Sequence, residues 1–483
     1  MTDPSKQAAS PAATPARQSD AGKASSDTIV IDLYQKQEKI YAREVKGGYQ
    51  RLRKLSVWLL LGLFYLLPWI QINGQQLVLF DLPARRFHVF GLTFWPQDFI
   101  LLTGLLVLAA LSLFFFTALA GRLWCGFACP QTVWTEVFMW LEEFAEGPAH
   151  KRRKLDQRKW DAEKLRRKGF KHALWLLFAL WTGFTFVGFF TPIGDLGQRL
   201  LRFELGGWES FWILFYSLAT WGNAGFLREQ VCKYMCPYAR FQSAMFDSDT
   251  LIVSYDPTRG EPRGSRSREL SHAEVQAQGK GDCIDCTLCV QVCPTGIDIR
   301  DGLQYECITC AACIDVCDQV MERMNYPLGL IRFTTQNAVD QKPSRVLRPR
   351  IFLYGAMLTL VAALWVYGVS SRPPILLDVM RDRNALYREL ADGGVENSYT
   401  LRISNRTSVA REFQISAVGM AELSIAGEQT IRLQPGEVGS LPITLRVDEV
   451  QRGGRQDIEF VVQASDDASV SSRAESRFFV PVR

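Results

Sequence analysis

No cysteine follows Cys317, so the last third of the chain carries no disulfide framework and no thiolate metal site. No phosphate-binding loop, nucleophile elbow or haem-attachment motif occurs in the 483 residues, which removes P-loop, α/β-hydrolase and c-type cytochrome chemistry. An excess of one charge is missing too. The net charge is +5, gathered in local clusters rather than on a basic face with interleaved aromatics, so nucleic acid is not an expected partner. Residues 1–28, rich in Ala, Ser, Pro and Thr, lack apolar periodicity and are expected to be a disordered tail. They do not read as a secretory signal, because the first apolar stretch comes late and is flanked by charge.

What is present is bunched. Mean hydropathy is near zero, yet the apolar residues fall into runs long enough for a hydrocarbon core that needs about 20 of them in a helix. Five spans are expected, at about 55–72, 99–120, 173–193, 210–227 and 350–371. Lys36, Lys39, Arg43, Lys46, Arg51, Arg53 and Lys54 precede the first, and a run from Lys151 to Lys168 separates the second from the third. The positive-inside rule places both inside, the N-terminus with them and the C-terminus outside.

The 12 cysteines come in short-spaced groups, the pattern of metal sites with reduced thiols. Cys283, Cys286, Cys289 and Cys293 repeat 24 residues on as Cys307, Cys310, Cys313 and Cys317. Bacterial ferredoxins hold two 4Fe-4S clusters with this spacing, the fourth cysteine of each block crossing to the other cluster. One cluster is therefore expected on Cys283, Cys286, Cys289 and Cys317, and the other on Cys293, Cys307, Cys310 and Cys313. A pair of zinc sites is the alternative that this spacing disfavours.

A second repeat consists of Cys125 and Cys129 before Pro130, and Cys232 and Cys236 before Pro237. Each pair follows a span running outside to inside, so the four thiols are expected to converge at the inner membrane face, each pair one helical turn apart on a single side. Such a patch suits a soft ion such as Cu(I), a reversible dithiol or a further cluster. Met235 and Met139 lie near enough in sequence to add thioethers, and His88 sits near the outer face, where a packed interfacial histidine is the plainer reading.

From residue 372 the pattern becomes period-two alternation, as in 399–403, 412–416, 430–433 and 459–462, broken by turns such as Pro435-Gly436. This is an expected antiparallel immunoglobulin-like β-sandwich with no catalytic constellation. Asn405-Arg406-Thr407 matches a glycosylation acceptor but carries little weight in a bacterial-looking chain. The expected fold is thus a multi-domain membrane protein. It comprises a transmembrane helical bundle over 29–250, a cytoplasmic two-cluster 4Fe-4S ferredoxin-like domain over 251–349, a fifth helix at 350–371 and the periplasmic sandwich at 372–483.

From about Tyr34 to its end the chain resembles the FixG/RdxA/CcoG proteins, accessory factors for assembly of the cbb-type haem-copper cytochrome c oxidase of bacteria. The resemblance rests on the segments 64–69, 85–98, 124–131 and 232–242, the ferredoxin blocks and the sandwich tail. Asp318 stands where soluble ferredoxins have proline. The resemblance implies an oxidoreductase of the bacterial inner membrane that reduces Cu(II) to Cu(I). Its partners would be the lipid bilayer, the oxidase assembly machinery, a copper chaperone or transporter and an electron donor. A rival resemblance, to NapH-type quinol dehydrogenases, would make it an electron relay instead.

Overall fold

In the computed structural model, which describes residues 39–481 apart from 73, 267–271, 383–384, 392, 408, 421 and 449–453, four helical segments are long and apolar enough to cross a membrane. They are Gly48–Trp69, Phe99–Ala120, Ala162–Val187 and Pro349–Ser370. The expected tail over 1–28 lies outside the described residues. Helix α1 (Gly48–Leu66) starts seven residues before the expected span and ends in a 3-10 turn, Leu67–Trp69. Its N-terminus is capped from a distance. The Asp315 carboxylate accepts from the N–H groups of Tyr49 (3.2 Å) and Gln50 (2.8 Å), using the positive end of the helix.

Helix α2 (Phe99–Ala120) is apolar throughout and stops at Gly121, whose φ of 57° brings it against the Leu251 carbonyl. Short helix α3 (Leu123–Phe127), amphipathic α4 (Pro130–Glu146) and α5 (Ala149–Gln157) follow. Helix α6 (Ala162–Val187) is capped by Asp161, which accepts from the Lys164 N–H at 2.7 Å. It begins 11 residues before the expected 173, within the charged run, because there its cations find buried partners. Glu142 is fully buried and accepts from Arg152 (2.9 Å) and Arg228 (2.7 Å), with Lys171 Nζ at 3.6 Å. Glu146 takes Lys168 and Lys171, each at 2.9 Å. Arg152 and Lys168 are the members of the charged stretch that enter this lattice, while Lys151, Arg153, Lys154, Arg158, Lys159 and Arg166 remain exposed, as on a solvated helix.

After α7 (Ile193–Leu201), the expected span at 210–227 is made differently from the others. Helix α8 (Gly207–Thr220) covers 14 residues, and the passage continues as a π-helix, Trp221–Leu227. It is therefore absent from the four long helices although the chain runs helically through it. Gly183 of α6 abuts the Ile213 carbonyl and Ser217 of α8 so closely that any side chain would collide, the small-residue contact that brings membrane helices together. A second π-helix, Val231–Met235, leads to α9 (Pro237–Met245).

At the far end of α2 lie a hairpin, β1 (Gln71–Ile72) with β2 (Gln75–Gln76), and a meander, β3 (Val78–Asp81), β4 (Arg86–Val89) and β5 (Leu92–Phe94). The ferredoxin-like part is closed by antiparallel β6 (Ile252–Tyr255) and β7 (Ile331–Thr334). Helix Pro349–Ser370 then returns antiparallel to α2. Arg348 donates to Ala118 O near one end, and Trp365 Nε1 donates to Leu101 O (2.8 Å) near the other.

The sandwich has two antiparallel sheets. One orders β12 (Ser424–Ala426), β14 (Val438–Val447), β10 (Val395–Asn405) and β8 (Ile375–Arg381), with β9 (Arg388–Glu389) on β10. The other orders β13 (Thr430–Leu433), β11 (Arg411–Val418), β15 (Gly454–Ala464) and β16 (Ser471–Val480). The inward residues of the alternating pattern, among them Tyr399, Phe413, Phe460 and Phe478, form the core. Asn405 is fully buried, its amide donating to the carbonyls of Val409, Leu433 and Gln434, so the acceptor match is a structural asparagine.

The sandwich is bolted to the membrane end. Buried Asp98, at the start of α2, pairs with Arg372 (2.7 Å) and Arg406 (3.3 Å). Gly436, at φ 70°, lies against Trp95, where a Cβ would stand 2.7 Å from the indole.

Candidate redox centres

The 24-residue repeat is written in the backbone. Asp285 and Thr287 hold φ of 54° and 55°, and their counterparts Thr309 and Ala311 hold 58° and 61°. Left-handed residues alternating along a loop turn successive N–H groups inward, the concavity that anionic iron-sulfur centres occupy. The fourth cysteines depart from the repeat. Cys293 is followed by Pro294, outside the short helix Leu288–Gln291, whereas Cys317 lies within helix Ala312–Arg323. Asp318 continues that helix and accepts from the Gly329 N–H at 2.9 Å.

Two cavities sort the cysteines. One is lined by Cys283, Cys286, Cys289 and Cys317, with Tyr255 and Arg300. The other is lined by Cys293, Cys307, Cys310 and Cys313, with Cys289 on its border. Cys317 thus lines a cavity with the first block, and Cys293 one with the second. None of the 12 thiols is in a disulfide. Burial, with repulsion from nearby thiols added, pushes Cys307 and Cys317 up to about 12, and burial carries Cys289 up to about 11. Thiolates persist in such a place only where cations replace the protons, which is what cluster iron supplies. Among the described residues, neither these cysteines nor Cys125, Cys129, Cys232 and Cys236 are grouped three together as a single-ion site. Thiols arranged around a cavity rather than a point fit a cluster.

Cys125, Cys129, Cys232 and Cys236 lie near enough to act on one another electrostatically, without converging on a single point. Burial, reinforced by the neighbouring thiols, pushes Cys125 up to about 11 and Cys232 up to about 12. The expectation of one helical turn per pair is corrected. Cys125 lies in α3, but Cys129 is extended (φ −61°, ψ 129°) at the head of α4; Cys232 lies in a π-helix, and Cys236 is extended (φ −78°, ψ 110°) before α9. Each following proline takes the first position of a new helix and excludes the helical conformation from the cysteine before it.

The patch is seated on the second cysteine block. Cys125 packs against the cluster of Ile308, Cys310 and Val316. A Cβ on Gly126 would meet the carbonyls of Ile308 and Thr309 at 2.7 and 2.8 Å, so only glycine allows the approach. Arg122, 3% exposed, donates to Ala239 O (2.6 Å) and Cys307 O (3.4 Å). The Cys125 thiol faces Gln242 Oε1 at 3.5 Å. Arg122, Gly126, Gln242 and the capping Asp315 carry no periodic signal and were missed in the sequence; only the glycine inside a cysteine pair hinted at a close approach.

Met235 is 60% exposed, and Met139 lines a separate cavity with Glu136, Glu143 and Pro294. His88 is half-buried in β4, its Nδ1 at 3.0 Å from Thr93 Oγ1.

Residues 227–336 match the family described as "4Fe-4S dicluster domain", 101–152 match "4Fe-4S binding domain", and 365–481 match "IG-like fold at C-terminal of FixG". The chain is similar to protein RdxB of Cereibacter sphaeroides, 40% identical over 84% of this chain and 87% of that one. It is similar to the nitrogen fixation protein FixG of Rhizobium meliloti, 35% identical over 85% and 87%, and to RdxA of Cereibacter sphaeroides, 39% identical over 81% and 84%. A crystal structure of a FixG-related protein from Vibrio parahaemolyticus is 32% identical over 23% of this chain and 98% of its own, with a TM-score of 0.20.

Proposed function

As the chain belongs to the FixG/RdxA family of 4Fe-4S electron-transfer proteins, we propose that it carries electrons through its ferredoxin-like part to the membrane-face thiols, where Cu(II) is reduced to Cu(I) for the cbb-type oxidase. Cys283, Cys286, Cys289 and Cys317 would hold one cluster and Cys293, Cys307, Cys310 and Cys313 the other. Clusters bound there supply electrons singly, matching a one-electron copper couple.

One observation carries the reading: the seating of Cys125 and Gly126 on the loop of Ile308 to Cys310, so close that no side chain fits at Gly126. The chain's own part is to hold soft donors at that contact. Thiolates favour Cu(I) over Cu(II) and so make uptake of one electron by bound Cu(II) downhill. In the double variant Cys125→Ala with Cys232→Ala, iron stays near the wild-type level while cupric reduction by purified, dithionite-reduced protein is lost. Normal reduction would place the copper site elsewhere.

A second reading makes the patch a further cluster site. The match of 101–152, which contains Cys125 and Cys129, to a 4Fe-4S binding domain favours it. The same double variant would then lose about four irons per chain.

The chain is read as a multi-pass protein of the bacterial inner membrane. The ferredoxin-like part and the sandwich lie at opposite ends of the α2 and Pro349–Ser370 pair, which supports a cytoplasmic place for the first and a periplasmic one for the second. A reporter at the C-terminus should be active only in the periplasm and one inserted at Gly264 only in the cytoplasm. The reverse pattern would refute the orientation, and activity of both reporters in one compartment would refute five crossings.

A further inference from the structure

We infer that Arg122 is a positioning residue that couples the membrane-face thiols to the second cysteine block, laying a fixed positive charge between the two groups. The inference rests on the reading that the second block holds a cluster. Arg122 is 3% exposed, and among the described residues no carboxylate is in ion-pair contact with it, Glu306 acting on it only from farther off. Its neutral contacts are the carbonyls of Ala239 and Cys307 and the face of Phe246, 5.9 Å from the guanidinium. Its Nε has no partner. A buried cation without a counter-charge is costly, and every other buried arginine of the lattice around Glu142 and Glu136 has a carboxylate.

The compensating charge is found in the thiols. Arg122 caps α3, which carries Cys125, donates to the carbonyl of Cys307 and reaches Ala239 just after Cys236, and Cys125, Cys307, Glu306 and Cys232 act on its charge. Thiolates ligating a metal centre on either side would supply the missing negative charge. The same geometry sets the direction of electron flow. A cation beside two redox groups stabilises each in its reduced, more negative state, and it acts most strongly on the second cluster, whose Cys307 it contacts directly. An electron entering at the first cluster is thereby drawn toward the membrane face. The two hydrogen bonds add a mechanical part, since they tie the start of α9, just after Cys236, to the loop of Cys307 through the end of α2.

The test uses full-length, cluster-loaded protein in detergent, titrated anaerobically with the two cluster signals followed by electron paramagnetic resonance. In Arg122→Gln the iron content stays near eight per chain, while the reduced-to-oxidised ratio of the second cluster at fixed potential falls roughly tenfold, about 59 mV for a one-electron couple. The first cluster's midpoint stays in place, and Arg122→Lys, which keeps the charge, restores most of the shift. Unmoved midpoints in a fully loaded Arg122→Gln protein overturn the inference, as does an equal shift of both clusters. If Arg122→Gln fails to retain iron, Arg122→Lys decides alone: a native midpoint supports the role of the charge, and a tenfold fall with full iron refutes it. A wild-type protein without two cluster signals would instead refute the underlying reading of the second block.

Discussion

Serine in place of Cys310 is expected to halve the iron content, from about eight to about four per chain, and to abolish electron delivery to the membrane face. Cys310 lines the second cavity, is buried, and packs in the cluster that receives Cys125. A serine hydroxyl is a harder and more weakly acidic donor than a thiol, and at a site so closed to water no solvent ligand can replace it. The first cluster should survive with a weakened signal, because Cys313 and Cys317 of the same helix serve different cavities and the loss of one loosens the other. Iron analysis with spectra of the dithionite-reduced protein reads both effects. Retention of eight irons, or zinc in place of iron, would contradict the assignment. Cys286→Ser offers the contrast: Cys286 is exposed, so water can approach the vacated position.

Replacing Glu142 with alanine is expected to destabilise the membrane domain by about 3–5 kcal/mol, the usual cost of removing one partner from a buried ionic network. Glu142 is fully buried and accepts from Arg152 and Arg228, with Lys171 3.6 Å away. Its loss leaves three cations facing one another with Glu146 as their remaining buried acid. The shift appears as a lower unfolding temperature in detergent and reduced yield from membranes. The control is Glu163→Gln at the exposed pairs with Arg158 and Arg167, where stability should not move. Equal behaviour of the two variants would show that the lattice contributes nothing.

Much of this molecule can be read in the sequence because its signals are periodic or repeated. The 24-residue recurrence of Cys283 to Cys293 reappears as matched left-handed residues, and the alternation from Tyr399 to Ile403 as strand β10. Runs such as 99–120 needed no tertiary information at all. What escaped depends on groups distant in the chain. Helix α6 begins in a charged stretch because Glu142 and Glu146 neutralise Lys168 and Lys171, which no hydropathy window can know. The cysteine pairs were expected on one helical face, yet Pro130 and Pro237 decide otherwise, a rule available from the sequence and not applied there. The π-helix at Trp221–Leu227 accompanies the packing of Gly225 against Trp175 and Phe138, a contact that composition does not encode.

The bolt at Asp98 makes the sandwich the handle of a lever. Arg372 follows the end of helix Pro349–Ser370 and Arg406 the end of β10, and both close on the first turn of α2. From there α2 runs 22 residues, about 33 Å, with no internal proline and with its one glycine, Gly104, held against Trp365, and it ends beside Arg122 and Cys125. A tilt imposed on the sandwich by whatever grips it therefore emerges as a displacement at the other end of the rod. Asp98 and the Arg122–Cys125 segment are thereby the two ends of one mechanical element.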